Sequence, residues 1–274
     1  MKKRSTPSSV APKSASRLAA APGQPSGPTR FSEIKVPAAL RTSLATGNPH
    51  MDTLFTGEGI RPSTCCLVTG EPGRGKTTLM LQLADSLAGQ GHLVLFNSCE
   101  ENSAQVFMNA EKRGLKNILN PSNNIWFSSY FDVTELLEWC ETARKTHGKN
   151  LPKGRGVFLI EDSLQTMERT EKRRGRPASK LQQQADAVWD IASWAKEHMT
   201  CALIIGQVTK DGEFAGKQEV KHAIDVHMHL YKDKDRKSDT FGRMILENQK
   251  NRMGTSGLYF PYTFGKNGIQ FDDA

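Results

Sequence analysis

Residues Gly70 to Thr77 read GEPGRGKT, a full match to the pattern G-x-x-x-x-G-K-[ST]. The pattern restricts the fold, because its glycines are useful only where an incoming strand hands over to an outgoing helix. Upstream, Thr64 to Thr69 (TCCLVT) is short, β-branched and apolar, as a buried strand requires. Downstream, Thr78 to Leu87 (TLMLQLADSL) reads as a helix. In that setting Gly70, Gly73 and Gly75 let backbone N–H groups turn inward around anionic oxygens, and the helix N-terminus adds partial positive charge. The expected ligand is a nucleoside triphosphate held by Gly70, Glu71, Pro72, Gly73, Arg74, Gly75, Lys76 and Thr77, with Thr78 behind them. Lys76 is expected on the β- and γ-phosphates and the Thr77 hydroxyl on a Mg²⁺ ion. A glycine-rich turn without a ligand is the alternative, and the strand and helix flanks weigh against it.

The rest of the chain repeats the strand-to-helix alternation. Val94–Asn97 (VLFN), Ile125–Ser128, Gly156–Glu161 (GVFLIE) and Cys201–Ile205 read as further strands. Ser103–Arg113, Thr134–Lys145 and Leu181–His198 lie between or beside them, the last two with apolar residues recurring at three and four. This pattern predicts an α/β fold with a mostly parallel sheet covered by helices on both faces. Residues 33–274 are expected to form one domain. Residues 1–32 are expected to be a disordered basic tail: Lys2, Lys3, Arg4, Lys13, Arg17 and Arg30 stand there among Ser, Pro, Ala and Gly with no acidic residue before Glu33. Most of the formal charge of +8 therefore belongs to the tail and not to the folded part. The tail's composition also fits an organelle-targeting segment. Five cysteines without C-x-x-C spacing exclude a zinc module and point to reduced thiols in the cytoplasm. No apolar run is long enough to span a bilayer, so no membrane partner is expected.

Three polar positions at strand ends carry the expected chemistry. Asp162 ends the strand that begins at Gly156 and is the candidate to hold the metal. Glu161 precedes it; strand alternation and the trailing Ser163 favour Asp162, and a helix N-cap carboxylate is a compatible structural role. Glu100, ahead of Glu101, follows the Val94–Asn97 strand closely enough to orient and deprotonate an attacking water. Gln207 follows Cys201–Ile205, from which an amide can touch a γ-phosphate and report its loss to the Thr209–Lys221 loop.

Taken in order, GEPGRGKT, VLFNSCEEN, VFLIEDSLQT, IIGQVTKDGEFAG and QKNRMG resemble the RadA family of RecA-fold ATPases, relatives of the DnaB replicative helicases, over about Ala45 to Ile269. The resemblance implies a RecA-like fold, ATP with Mg²⁺, Glu100 as base, Gln207 as γ-phosphate sensor, and Lys250 with Arg252 as fingers reaching a neighbouring subunit's ATP. It thereby implies a homo-oligomer, expected to be a hexameric ring. The chain departs from the family in carrying no four-cysteine module, in ending where a Lon-like domain would start, in Met253 replacing the aromatic of KNRFG, and in Gln207 replacing a histidine. The charged segment Lys232–Ser238 has no chemical explanation at this level.

Between Glu168 and Lys180 the sequence ERTEKRRGRPASK carries Arg169, Lys172, Arg173, Arg174, Arg176 and Lys180 among Gly, Pro and Ser. By the resemblance this loop lies on the ring's channel, where it would grip the sugar-phosphate backbone of single-stranded DNA; Lys210, in the following glycine-bearing loop, joins the same set. A solvated charge run is the bland alternative. The absence of interleaved aromatics argues for backbone tracking over base stacking. The expected function is a DNA-stimulated, ring-forming ATPase of the helicase or branch-migration type in recombination and repair, working beside a recombinase or replication protein. A filament-forming strand-exchange recombinase and a KaiC-like ATP-switched assembly protein are the alternatives.

Overall fold

The computed structural model describes residues 27–169, 178–207 and 218–272. Most of the expected tail (1–26) and the candidate DNA contacts Lys172, Arg173, Arg174, Arg176 and Lys210 lie outside them. In chain order the elements are α1 (Pro49–Phe55), β1 (Cys65–Gly70), α2 (Lys76–Gly89), β2 (Leu93–Ser98), α3 (Ser103–Arg113), β3 (Ile125–Ser128), α4 (Val133–His147) and β4 (Val157–Asp162). They continue with α5 (Lys180–His198), β5 (Cys201–Gln207), α6 (Gln218–Ala223), β6 (Val226–Lys232), β7 (Met244–Asn251), β8 (Tyr259–Gly265) and β9 (Gly268–Phe271).

Among the described residues the strands form one nine-stranded sheet in the order β3-β2-β4-β5-β1-β6-β7-β8-β9. Strands β3 to β6 run parallel, and β6 to β9 are antiparallel neighbours. The parallel part is the expected α/β sheet. Strands β6 to β9 were not among those read from the sequence. Helix α2 begins at Lys76, two residues earlier than its apolar pattern suggests, because the preceding Gly75 is left-handed (φ +89°) and starts the helix directly from the glycine turn.

Strand parity divides the interior in two. Cys66, Val68, Phe96, Phe158, Ile160, Leu203 and Ile205 face α1 and α2, whereas Leu67, Leu95, Leu159, Ala202 and Ile204 face α4 and α5. Burying both faces explains why the strands read as continuous apolar runs. Parity also decides what a residue at the end of β4 can reach: Asp162 continues the Phe158–Ile160 row on the α2 side, and Glu161 continues the Leu159 row on the other.

The charged segment after Tyr231 proves to be the connection between β6 and β7. Asp233 organises it, its N–H donating to Arg243 O and its carbonyl accepting from Gly242 N, both 2.9 Å. Its carboxylate accepts from Asp235 N and from Thr240 Oγ1, which holds the carboxyl below the usual range. The charges in Lys232–Ser238 are thus a solvated turn around one pinned aspartate.

Candidate active site

The carboxyl ends of β1, β4 and β5 open into a cavity of about 350 Å³ lined by Pro72, Gly73, Gly75, Lys76, Thr77, Thr78, Glu100, Asp162, Ile205, Gln207 and Phe264. Ligands of open α/β sheets bind at such an edge. Five of the chemistry-bearing candidates, Lys76, Thr77, Glu100, Asp162 and Gln207, are thereby brought together from four segments.

The Lys76 ammonium donates to the carbonyls of Gly70 (2.8 Å) and Glu71 (3.1 Å). Burial holds it below the usual lysine range, opposed by the nearby Glu100 and Asp162 carboxylates. The side chains of Glu71 and Arg74 turn away from the cavity: Arg74 Nε donates to Glu71 Oε2 at 3.0 Å, and Lys234 sits 3.6 Å from the other Glu71 oxygen. What these two residues offer a phosphate is therefore backbone. The Arg74 carbonyl accepts from Tyr262 Oη at 2.8 Å, so β8 braces the loop from outside. Gly75 is required twice, by its positive φ and because a Cβ would stand 3.0 Å from the Phe264 ring.

Asp162 is 1% exposed, its Oδ1 has no hydrogen-bond partner, and burial pushes its carboxyl up to about 6 while the Thr77 hydroxyl and Lys76 pull it down. A buried carboxylate oxygen with no partner, beside a threonine hydroxyl, is a hard oxygen donor set that fits Mg²⁺. Glu161 instead accepts from Asn97 Nδ2 at 2.8 Å, and burial drives its carboxyl well above the ordinary range. Each acid of the Glu161–Asp162 pair keeps one buried oxygen without a partner, and parity separates them: only Asp162 lines the cavity.

The Glu100–Glu101 pair separates as well. Glu100 Oε1 accepts from Ser163 Oγ at 2.5 Å and from Gln207 Nε2 at 3.2 Å, within the cavity. Glu101 turns outward, accepting from Asn109 Nδ2 at 2.9 Å. Two residues of this site have roles here that are not read from the sequence. Phe264 comes from β8, near the end of the chain, and its half-exposed ring flanks the loop at Gly75. Ser163 supports the preference for Asp162 in sequence, yet its own partner proves to be Glu100.

Lys250 and Arg252 lie elsewhere. Strand β7 runs against β1, and Lys250 pairs with His227, three strand positions and roughly 10 Å short of the Leu230 level at which Gly70 sits. The phosphate loop rises in the opposite direction, so neither side chain reaches the cavity of its own chain. A register shift between His227 and Met228 re-aims Lys250, whose ammonium donates to the carbonyls of Ile224 (2.7 Å) and Lys221. Within KNRMG, Asn251 Oδ1 accepts from Met253 N and Gly254 N, and a Cβ on Gly254 would stand 2.5 Å from Phe55 O. Asn251 and Gly254 build the turn. Arg252 remains half-exposed, 3.6 Å from Asp225.

At the root of the basic loop, Arg169 lies 3.3 Å from Asp190. Lys180 is exposed as the first residue of α5.

A family described as "ATPase: KaiC" matches residues 44–126. The DNA repair protein RadA of Mycobacterium tuberculosis is 30% identical over 225 residues, 82% of this chain and 42% of that protein. RadA of Escherichia coli K12 gives the same identity over 82% of this chain and 43% of that protein. The chain is a RadA-like ATPase core on a RecA fold. It spans less than half the length of these RadA relatives. The fold is shared with a solved DnaB-like replicative helicase (TM-score 0.66, 17% identity, 83% of this chain and 61% of that one). A solved KaiC-like protein from the archaeon Pyrococcus horikoshii also matches (TM-score 0.63, 16% identity, 85% and 99%). The cavity of this RadA-like core thus has the loop and polar residues of a P-loop nucleotide site, and its fold is found in both a DnaB-like replicative helicase and a KaiC-like protein.

Proposed function

We propose that this chain is an ATP- and Mg²⁺-dependent motor that assembles into a ring, hexameric by the RadA and DnaB likeness, and moves on single-stranded DNA in recombination and repair. The reading is supported most by one observation: Lys76, Thr77, Glu100, Asp162 and Gln207 converge on one cavity, while Arg252 stands half-exposed toward the other end of the sheet, where a second copy could meet it. Loop amides and Lys76 bind the phosphates; Thr77 and Asp162 hold Mg²⁺, which neutralises phosphate charge when bound. Glu100, aimed by Ser163 and Gln207, takes the proton of the attacking water. A γ-phosphate engaged by Gln207 competes with its bond to Glu100, so phosphate loss would be felt where β5 leads into residues 208–217. Arg252 of the adjacent subunit stabilises charge in the loose transition state.

The RadA likeness, with the basic residues Arg169, Lys172, Arg173, Arg174, Arg176, Lys180 and Lys210, favours DNA as the track and a recombinase or replication protein as companion. Among the described residues no helix is long and apolar enough to cross a membrane. ATP hydrolysis measured with and without single-stranded DNA across a salt series tests the reading, with Lys76→Ala as the control for contamination. Stimulation that fades with salt is expected, because phosphate contacts release counterions. Turnover indifferent to DNA would favour the KaiC-like reading, an ATP-switched assembly, which the match at 44–126 keeps in view.

A further inference from the structure

Helix α3, which follows the candidate base, is tied to the first turn of α2 by the side chain of Arg113. Arg113, the last residue of α3, donates from Nη2 to Thr78 Oγ1 at 3.2 Å, in the first turn of α2. Its Nη1 donates to the carbonyl and the side-chain oxygen of Asn109, both at 3.2 Å. Asn109 Nδ2 donates in turn to Glu101 Oε2 at 2.9 Å. A continuous polar path therefore runs from Thr78, adjacent to the metal-binding Thr77, through Arg113 and Asn109 to Glu101, adjacent to Glu100.

Two further observations make this path more than surface decoration. Helix α3 buries only Val106 and Ala110, so apolar packing alone holds it weakly against the sheet. Arg113 Nε is buried without a partner, so the guanidinium is partly desolvated at a cost that its two forks must offset. A planar guanidinium directs its N–H groups apart in a fixed fork, a spread that the single nitrogen of a lysine ammonium does not reproduce.

We propose that Arg113 is a positioning residue for hydrolysis: it fixes the first turn of α2 against the helix that follows Glu100, and so sets the separation between the bound γ-phosphate and the base. The inference rests on the roles of Thr77 and Glu100 given above. Arg113 does not line the nucleotide cavity. Its contribution therefore belongs in kcat and not in ATP affinity. It also acts within one subunit, unlike Arg252.

The test is steady-state ATP hydrolysis together with equilibrium binding of ATP for the full chain and for Arg113→Ala, Arg113→Lys, Asn109→Ala and the Arg113→Ala/Asn109→Ala double variant. In both Arg113 variants kcat is expected to fall about 10- to 100-fold, the scale of a misplacement near 1 Å. ATP affinity is expected to stay within about threefold. Asn109→Ala should fall less, and the double variant should be no worse than Arg113→Ala, because both interrupt one path. A merely structural role would lower melting temperature without splitting kcat from affinity. Weakened ATP binding with kcat intact, or full rescue by Arg113→Lys, would overturn the proposal, the first showing ligand contact and the second that charge alone suffices. If Arg113→Ala fails to fold, Arg113→Lys and Asn109→Ala still decide it. Normal turnover in the wild type and in every variant overturns this inference alone, whereas a wild type without Lys76-dependent turnover overturns the ATPase reading and this inference with it.

Discussion

The two ends of the sheet are built differently. At the carboxyl end of β1, β4 and β5 the polar residues are cross-braced around a cavity: Lys76 on two carbonyls, the exposed Glu100 on Ser163 and Gln207, and the buried Asp162 with an oxygen left without a partner. At the other end Lys250 is also held on two carbonyls but does not line that cavity, and Arg252 sits half-exposed on a turn whose geometry is supplied by Asn251 and Gly254. One end is shaped to receive a ligand, and the other presents cations on an outer turn. Under the proposed function, the two ends would be the two halves of an ATPase site facing in opposite directions, as a head-to-tail assembly requires.

The largest expected effect is at the receiving end. Lys76→Ala should remove ATP turnover and ATP binding together. Arg252→Ala should lower turnover by about 10³-fold or more, the scale of a finger acting in trans, and leave ATP binding within a few fold. Loss of binding in Arg252→Ala would mean that the two ends are not separable.

Within the receiving end, Asp162→Asn and Glu161→Gln sharpen the parity argument. The first should abolish Mg²⁺-dependent turnover; the second should leave turnover within about threefold, because Glu161 faces away from the cavity and an amide can keep the bond from Asn97. Equal loss in both would show that the strand row does not decide their roles.

How far the site is legible in sequence follows from how local each part is. The loop Gly70–Thr77 is continuous, so its motif, strand and helix can be read together. Asp162 and Glu100 each stand beside a second acid, and what separates the members of each pair is the face of the sheet or the direction of a helix, which appears only once strands are in register. Strands β6 to β9 escape because their alternation is masked: His227, His229 and Tyr231 occupy one face of β6 against Met228 and Leu230 on the other, and Pro261 interrupts β8. Phe264 and Arg113 carry no motif. Phe264 reaches the cavity through a β-hairpin, and Arg113 reaches only Thr78 beside it, through a helix end that the folded chain brings there.

A smaller effect concerns how the presenting end is held. Asn248 is fully buried and donates to Leu54 O (2.6 Å) and Thr255 O (2.9 Å), tying β7 to α1. Asn248→Ala should cost about 1–3 kcal/mol in denaturant unfolding and should reduce turnover through the Lys250–Arg252 turn more than it reduces ATP binding. An unchanged midpoint would remove that tether from the account.

The smallest expected effect is a pH dependence seated at the amino ends of the parallel strands, on the presenting side of the sheet. Burial lowers His92 and His227 to about 4 from 6.5. The unfolded chain therefore binds more protons between these values, and the stability that the neutral rings contribute is complete above pH 6.5 and lost as pH falls through 4. The two rings pull the melting temperature down across that window, against the opposite pull of the raised Asp162 and Glu161 carboxyls. His92→Gln should remove its share of the downward pull, since His92 Nδ1 accepts from Gly156 N at the amino ends of β2 and β4; a difference from wild type that does not change with pH would show that the imidazole is not held neutral there.

The central claim, that opposite ends of two chains complete one site, is tested most directly by mixing. Lys76→Ala lacks a working receiving end and Arg252→Ala lacks a working presenting end, so each alone should be inactive. Mixed at equal concentration in the presence of single-stranded DNA, they should recover a fraction of wild-type ATP hydrolysis, because some junctions then pair an intact phosphate loop with an intact Arg252. A mixture of two folded, co-assembling variants that stays as inactive as its components would contradict a site shared between subunits.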